Sequence, residues 1–321
     1  MVCLRVVVVN YRTPDLVINC LNSLADEVRS QPDCRVVVVD NQSGDGSVDR
    51  IQAAIMKSGW GGWAEVVAQP TNRGFAAGNN AALRSLLTAA KPPDYLLLLN
   101  PDTLVRPVAV TALVDFMEGH PSVGIAGSRL EDPDGMPQRS AFRFPSVPGE
   151  LEGGVRLGFI SQMLRHRIVA PPARDCSHPT DWVSGASMII RRQVFESVGF
   201  IDESYFLYYE EVDFCRAARL AGWSCWYVPA SRVVHLVGQS SGVMDTRRPA
   251  RPVLAYWFAS RRRYFIKNHG PVYALLADIA WVFGFTLWRL RRRLQQLPDC
   301  DPPGLLWDFV RFNFLSRQLL S

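Results

Sequence analysis

The chain has 321 residues, 48 % of them apolar and 20 % charged, a composition that excludes a disordered polymer and suits one large domain or a domain with an appendage. Its net charge of +5 is unevenly spread. From Asp245 onward there are 13 Lys and Arg against 5 Asp and Glu, which leaves 22 against 25 before it, so a near-neutral front is followed by a basic tail and no nucleic-acid partner is expected.

Seven cysteines, at 3, 20, 34, 176, 215, 225 and 300, are odd in number and form no C-x-x-C pair. This argues for a reducing compartment and against a disulfide or zinc framework. The opening "MVCLRVVVVNY" runs straight into Asn, Tyr, Arg and Thr-Pro without a small-residue cleavage site. It is expected to be the first strand of a cytoplasmic domain rather than a signal peptide.

In chain order, β-branched and leucine runs occur at 4–9, 35–39, 64–68, 95–99 and 123–127, separated by stretches at 15–29, 47–58, 75–89 and 107–118 that are long and periodic enough for helices. Such alternation predicts an α/β fold with a mostly parallel sheet covered on both faces. Ligands of such sheets bind at the carboxyl ends of the strands. Those ends are polar here: Asn10-Tyr11-Arg12, "DNQSGDGS" (40–47), "QPTNRGFAAGNN" (69–80) and "NPDT" (100–103). Together they suggest a shared polar cleft, although turn chemistry alone supplies part of the pattern.

From about 130 to 180 the texture becomes rich in Pro, Gly and Arg, and reads as an insertion or lid. "WVSGASMIIRR" (182–192), an acidic helix beginning near Tyr208 and ending at Gly222, and the strand "SCWYV" (224–228) form a second block. The tail contains "VYALLADIAWVFGFTLW" (272–288), seventeen residues with Asp278 as the sole charge, flanked by Arg261–Arg263 and by Arg289 and Arg291–Arg293. A spanning helix needs ~20 apolar residues, so a helix lying in the membrane interface is expected, with a helix packed on the domain as the alternative.

Several residues have the chemistry of a site. Asp40 and Asp102 stand where strands leave the core, and either can cap the following turn or line a cleft. Mg²⁺ takes only one or two protein carboxylates and fills its shell with phosphate oxygens and water, so Asp102 suffices for a metal if a diphosphate is present. Asn100 adds only a neutral amide oxygen. "TNRGFAAGNN" (71–80) is not G-x-G-x-x-G, which removes the main support for a nicotinamide site. Gly74 permits a tight turn there, Phe75 packs, and Gly78 and Asn79 allow close approach to a ligand; a plain helix entry is the alternative. Glu210, Glu211 and Asp213 complement a helix dipole, or supply a general base desolvated by aromatic neighbours. His235, after another β-branched run, is either a satisfied polar residue or a ligand. Gly185 in "VSGAS" is either a turn or an acceptor floor.

"VVVVNY", "VVVDNQSGDGS", "NRGFAAGNNAAL", "LLLLNPDT", "WVSGASMIIRR", "GFIDESYFLYYEEVDFCRAARLAGW" and "VVHLVGQSS" occur in that order between residue 4 and about 268. In this combination the chain resembles the inverting glycosyltransferases of family 2, in particular their rhamnosyltransferase-like bacterial branch. The resemblance implies a GT-A fold, Rossmann-like and of the nucleotide-diphospho-sugar transferase kind, over residues 1–245 with an insertion at about 130–180; the basic helical extension over 246–321 is read from its own residues, either associating with a membrane or packed on the domain. It implies a dTDP- or UDP-sugar donor and Mg²⁺ or Mn²⁺ on its diphosphate, while the basic, amphipathic tail suggests a glycan or lipid-linked acceptor and a cytoplasmic protein peripheral on the inner face of the cytoplasmic membrane. By position, Asn10, Tyr11 and Asp40 would contact the nucleoside. Gly74, Phe75, Gly78, Asn79 and Asn100 would line the donor pocket, and Asp102 with His235 would hold the metal. Trp182, Ser184, Gly185, Glu210 and Asp213 would face sugar and acceptor, and Glu211 would be the catalytic base. The family usually has Asp where Glu211 stands, and often Arg where this chain has Ala217, with Arg216 and Arg219 nearby. A nucleotidyltransferase and a catalytically silent sugar-nucleotide binder are the rival readings.

Overall fold

Runs of valine and leucine that are buried on both faces make the centre of the sheet. The computed structural model describes residues 2–236 and 255–315, which fall into two compact units. The first comprises residues 2–142, 172–206 and 210–236; the second comprises 143–171, 207–209 and 255–315. The junction expected near residue 245 and the end of the last motif, Gly238 to Ser241, lie outside the described residues.

The first unit begins β1 (Leu4–Asn10), α1 (Pro14–Ser30), β2 (Cys34–Asp40), α2 (Ser47–Lys57), β3 (Ala64–Ala68), α3 (Phe75–Leu87) and β4 (Tyr95–Leu99). Strands β3, β2, β1 and β4 lie side by side and all parallel, with Asn10 in register with Asp40, and Val8 with Leu99. Parallel strands of this kind need crossover helices, and each predicted helix supplies one. The core under them is formed by Val6, Val8, Val36, Val38, Leu97 and Leu99 against Val17, Leu21 and Ile51 of the helices.

Beyond β4 the sheet becomes mixed. β5 (Thr103–Val105), α4 (Ala109–Gly119), β6 (Val123–Glu131) and β7 (Ala141–Phe142) precede the segment that belongs to the second unit. That segment, 143–171, is helical in part, with α5 (Val147–Val155) and α6 (Gly158–Met163); Ser146 caps α5 by accepting from the Gly149 amide at 3.3 Å. The first unit resumes with β8 (His178–Thr180), β9 (Trp182–Val183), β10 (Ser187–Arg191), α7 (Arg192–Val198), α8 (Glu210–Leu220) and β11 (Ser224–His235). β10 is antiparallel to both β4 and β6, β11 is parallel to β6, and β5 and β8 are antiparallel to β11. β11 is longer than the five-residue strand expected, continuing past an irregular stretch between Val228 and Arg232 to His235.

The second unit contains α9 (Ala255–His269), α10 (Pro271–Leu294) and α11 (Leu305–Val310) together with α5 and α6. α5 and α10 cross at Gly154 and Gly284, where an added Cβ on either glycine would come within 3.0 Å of the opposite backbone. Beside this crossing Arg261 is almost fully buried between Glu150, 2.8 Å away, and Asp278.

Candidate functional site

The parallel register sets the first wall. Asn10 and Asp40 end neighbouring strands, and Asn10 Nδ2 donates to Asp40 Oδ2 at 2.7 Å. Asp40 also accepts from the Ser43 amide at 2.9 Å and from the Ser43 hydroxyl at 2.6 Å, so both its oxygens are engaged and it is buried. Ser43 in turn accepts from the amide of Arg12, a residue with φ of +59°. Tyr11 is the exposed member of this group, with the Arg12 guanidinium 5.1 Å from its ring centroid.

The second wall is the entry to α3. Asn41 donates to Asn72 Oδ1 at 2.9 Å and to the Gly74 carbonyl at 3.0 Å, which ties the β2 end to the α3 entry. Gly74 has φ of +93°, and a Cβ on it would lie 2.2 Å from the Phe206 carbonyl oxygen, to which the Phe75 amide donates at 2.8 Å. Only glycine fits this position. At Gly78 the close approach is internal, with Val9 of β1 2.9 Å from the Cβ position, and Asn79 donates back to the Phe75 carbonyl. Asn80 is buried too, donating to the Ile201 carbonyl and to Glu203.

The antiparallel strand β10 brings in the third element. Ser187 pairs with Leu99, so the turn at Ser184–Ala186 arrives beside the β4 end, where the Asn100 amide donates to the Ala186 carbonyl at 3.0 Å. The Cβ position of Gly185 is 3.6 Å from the Phe75 ring and 3.9 Å from Glu211 Cβ. Residues more than a hundred positions apart in sequence thus meet at one point. Trp182 stacks on Phe142 with centroids 4.1 Å apart, and the Ser184 amide donates to the Ser140 carbonyl.

Glu211 lies in the first turn of α8, after Tyr208 and Tyr209, which both have left-handed backbone with φ of +69° and +68°. A left-handed backbone at a residue other than glycine costs of order 1–3 kcal/mol and persists only where its surroundings hold it. Glu210 is buried, Glu211 half-buried, and one carboxylate oxygen of each, Oε2, is buried without a hydrogen-bond partner. Burial raises the Glu211 carboxyl to about 7, its helix amides pulling the other way. Glu210 is raised well above the ordinary carboxylate range, first by burial and then by Glu211. Asp213, in the same turn, is buried as well. Arg219 is ion-paired with Asp181.

β11 closes the arrangement from the other edge. Because His235 is in register with Thr103, its Nε2 comes to 3.5 Å from Asp102 Oδ1, and the Leu236 amide donates to the Asp102 carbonyl at 2.8 Å. Asn100 Oδ1, two residues away, is buried and has no hydrogen-bond partner. Among the described residues no three His, Cys, Asp or Glu side chains gather as a metal cage. One carboxylate with an imidazole 3.5 Å away suits a hard divalent cation that takes its remaining ligands from phosphate and water.

Ser43, Asn41 and Asn80 escape a reading of the sequence. The signal for Ser43 was present, since Asp at position 40 followed by Ser three residues later is turn chemistry, but it does not say which strand end the turn would clasp.

A sequence model of the family described as Glycosyl transferase family 2 matches residues 5–198. The N-acetylglucosaminyl-diphospho-decaprenol L-rhamnosyltransferase of Mycobacterium tuberculosis is 31 % identical over 277 residues, covering 81 % of this chain and 80 % of the relative. The dTDP-rhamnosyl transferase RfbF of Shigella flexneri is 24 % identical over 264 residues, with coverage of 81 % and 80 %. Among solved structures, mannosyltransferase PcManGT from Pyrobaculum calidifontis, in complex with GDP-Man and Mn²⁺, superposes with a TM-score of 0.58 at 14 % identity, covering 92 % of this chain and 75 % of that one. The likeness in fold identifies the architecture as GT-A.

Proposed function

Since the chain belongs to glycosyl transferase family 2 and is a glycosyltransferase, we propose that it moves a rhamnosyl residue from a thymidine-diphosphate donor to a lipid-linked glycan acceptor, inverting the anomeric centre. Donor and acceptor are inferred from what the two rhamnosyltransferase relatives are named for. The observation that carries the chemistry is the meeting of Phe75, Gly185 and Glu211, an aromatic ring and a glycine without a side chain packed beside Glu211, whose carboxyl burial raises to about 7.

In this reading Tyr11, Asn10 and Asp40 receive the nucleoside; since Asn10 and Ser43 already occupy Asp40, its role is to stiffen that wall as much as to touch the base. Phe75 and Gly185 hold the sugar. Glu211 accepts the proton of the acceptor hydroxyl, and that oxygen attacks the anomeric carbon on the face opposite the diphosphate. The bond to the phosphate oxygen breaks, and the nucleoside diphosphate leaves with the electron pair. A carboxyl poised near 7 suits this work because about half of it is ionised at neutral pH and it is basic enough to take the proton. Asp102 and His235 would hold Mg²⁺ or Mn²⁺, which supplies Lewis-acid stabilisation of the negative charge on the departing diphosphate. Ser184, Glu210, Asp213 and Trp182 would shape the acceptor side.

The division of labour we propose assigns transfer to the sheet-bearing unit and association with the cytoplasmic face of the membrane to the C-terminal helices. The test is release of dTDP from dTDP-rhamnose by the full chain with Mn²⁺, with and without a polyprenyl-diphosphate-linked N-acetylglucosamine acceptor. Acceptor-dependent release supports transfer. Donor binding without release is the outcome for a silent binder and would refute the proposal.

A further inference from the structure

α10 presents its apolar residues outward. Leu275, Leu276, Ile279, Phe283, Leu287 and Leu290 are 39 to 57 % exposed, while Ala274, Ala277, Asp278, Gly284 and Phe285 are buried within the same unit. At ~100° per residue those six fall in an arc of about 120°, opposite the buried side. Isolated exposed leucines are ordinary, but a continuous stripe of this size marks an interaction surface.

Charge identifies the occupant. By the same helical geometry Arg293, which is exposed, borders the stripe at its C-terminal end, while Arg289 and Arg291, just outside its two edges, bind Asp299 at 2.8 Å and the Arg156 carbonyl at 2.6 Å. An apolar stripe that ends in an exposed arginine complements the acyl boundary and anionic headgroups of a bilayer. The unit also exposes Phe159 and Met163, four residues apart on α6. The helix is 24 residues long and apolar enough to cross a membrane by length and composition. Its inner side argues otherwise: Asp278 is ion-paired with Arg261, which also binds Glu150, and the Gly284 backbone is pressed on α5. A helix with one face in lipid and the other on an ion-paired protein interior lies along the membrane.

We propose that the outer face of α10 seats in the headgroup–acyl boundary of an anionic bilayer, with the helix in the membrane plane. This deepens the peripheral location given above and is independent of which sugar is moved. The test is flotation of the full chain with phosphatidylglycerol-containing vesicles and with phosphatidylcholine alone. The chain should float with the anionic vesicles, less so in high salt, and be released by alkaline carbonate. The double variant Leu276→Glu, Phe283→Glu should partition about 10²-fold less, with unchanged thermal melting and donor binding. Ile279→Gln with Leu287→Gln provides a milder pair should the glutamates disturb folding. A wild-type chain that does not float, variants that float equally, or resistance to carbonate would each overturn the proposal. So would a dimer in solution that the substitutions dissolve without any effect on vesicles.

Discussion

His235 Nε2 stands 3.5 Å from Asp102 Oδ1, although 133 positions separate the two residues in the chain. The antiparallel pairing of β11 with β5 brings them together, placing His235 opposite Thr103. If the pair holds the donor's metal, Asp102→Asn should lower kcat/KM by about 10²-fold or more, several kcal/mol of leaving-group stabilisation. His235→Ala should raise the Mn²⁺ concentration needed for half-maximal rate with a smaller effect at saturation. Metal titrations of the transfer rate check both; metal-independent activity in the variants and the wild type alike would remove the pair from the chemistry.

If Glu211 is the base, Glu211→Gln, which keeps the size of the side chain, should lower turnover by about 10²–10⁴-fold with donor binding retained. The wild-type rate should rise with pH on a limb centred near 7, because burial raises the Glu211 carboxyl to about 7 and only the ionised form accepts a proton. That limb should vanish from the residual activity of the variant. Initial rates between pH 5.5 and 8.5 provide the measurement.

The same burial affects stability. Both Glu210 and Glu211 are raised above the ordinary carboxylate value of 4.5, so the fold favours their neutral forms. For both, that stability is complete below about 4.5; for Glu211 it is lost as pH rises through about 7, and for Glu210 as pH rises through its own raised value. Glu210→Gln, neutral at every pH, should therefore gain in melting temperature relative to wild type on going from pH 5 to pH 8. A constant difference across that range would contradict the assignment.

Gly185 separates steric from chemical demands. Its Cβ position has only ordinary contacts, 3.6 Å to Phe75 and 3.9 Å to Glu211, so Gly185→Ala should fold and retain most activity. Gly185 is itself buried, so Gly185→Leu would press on the Phe75 ring and Glu211 and should abolish transfer at a cost in melting that Gly185→Ala does not show. At Gly74 both constraints fail at once, since φ is +93° and the Phe206 oxygen is 2.2 Å away; Gly74→Ala should destabilise by about 1–3 kcal/mol or more. Thermal melts alongside activity assays distinguish the two glycines.

These contrasts follow what the sequence could and could not express. Parallel strands buried on both faces must be runs such as "VVVV" and "LLLL", so β1, β2 and β4 and their polar ends are legible without coordinates. The arrival of β10 antiparallel beside β4 leaves no such trace, because "SMIIR" reads the same in either direction. Hence Gly185 can be named as a turn or floor, but its nearness to Phe75 and Glu211 is a property of the topology. The helices α5 and α6 were hidden by Gly, Pro and Arg in 143–171, where Gly154 serves a helix crossing rather than a loop. In the tail the apolar run is visible in sequence, whereas the side on which it faces depends on where Asp278 finds Arg261.

Asn100 offers the sharpest test of the metal arrangement. Its Oδ1 is buried and without a hydrogen-bond partner, two residues before Asp102, yet an amide contributes no charge. With one carboxylate and one imidazole, the empty protein should bind Mn²⁺ weakly, and affinity should rise when dTDP supplies phosphate oxygens. Asn100→Asp places a second carboxylate at nearly the same position. It should let the nucleotide-free protein bind Mn²⁺ at least about tenfold more tightly, and the enhancement by dTDP should shrink. Calorimetric titration of Mn²⁺ into both proteins, with and without dTDP, measures the four affinities. Tight Mn²⁺ binding by the nucleotide-free wild type at this site, or no gain in Asn100→Asp, would show that the cation does not depend on the donor's diphosphate.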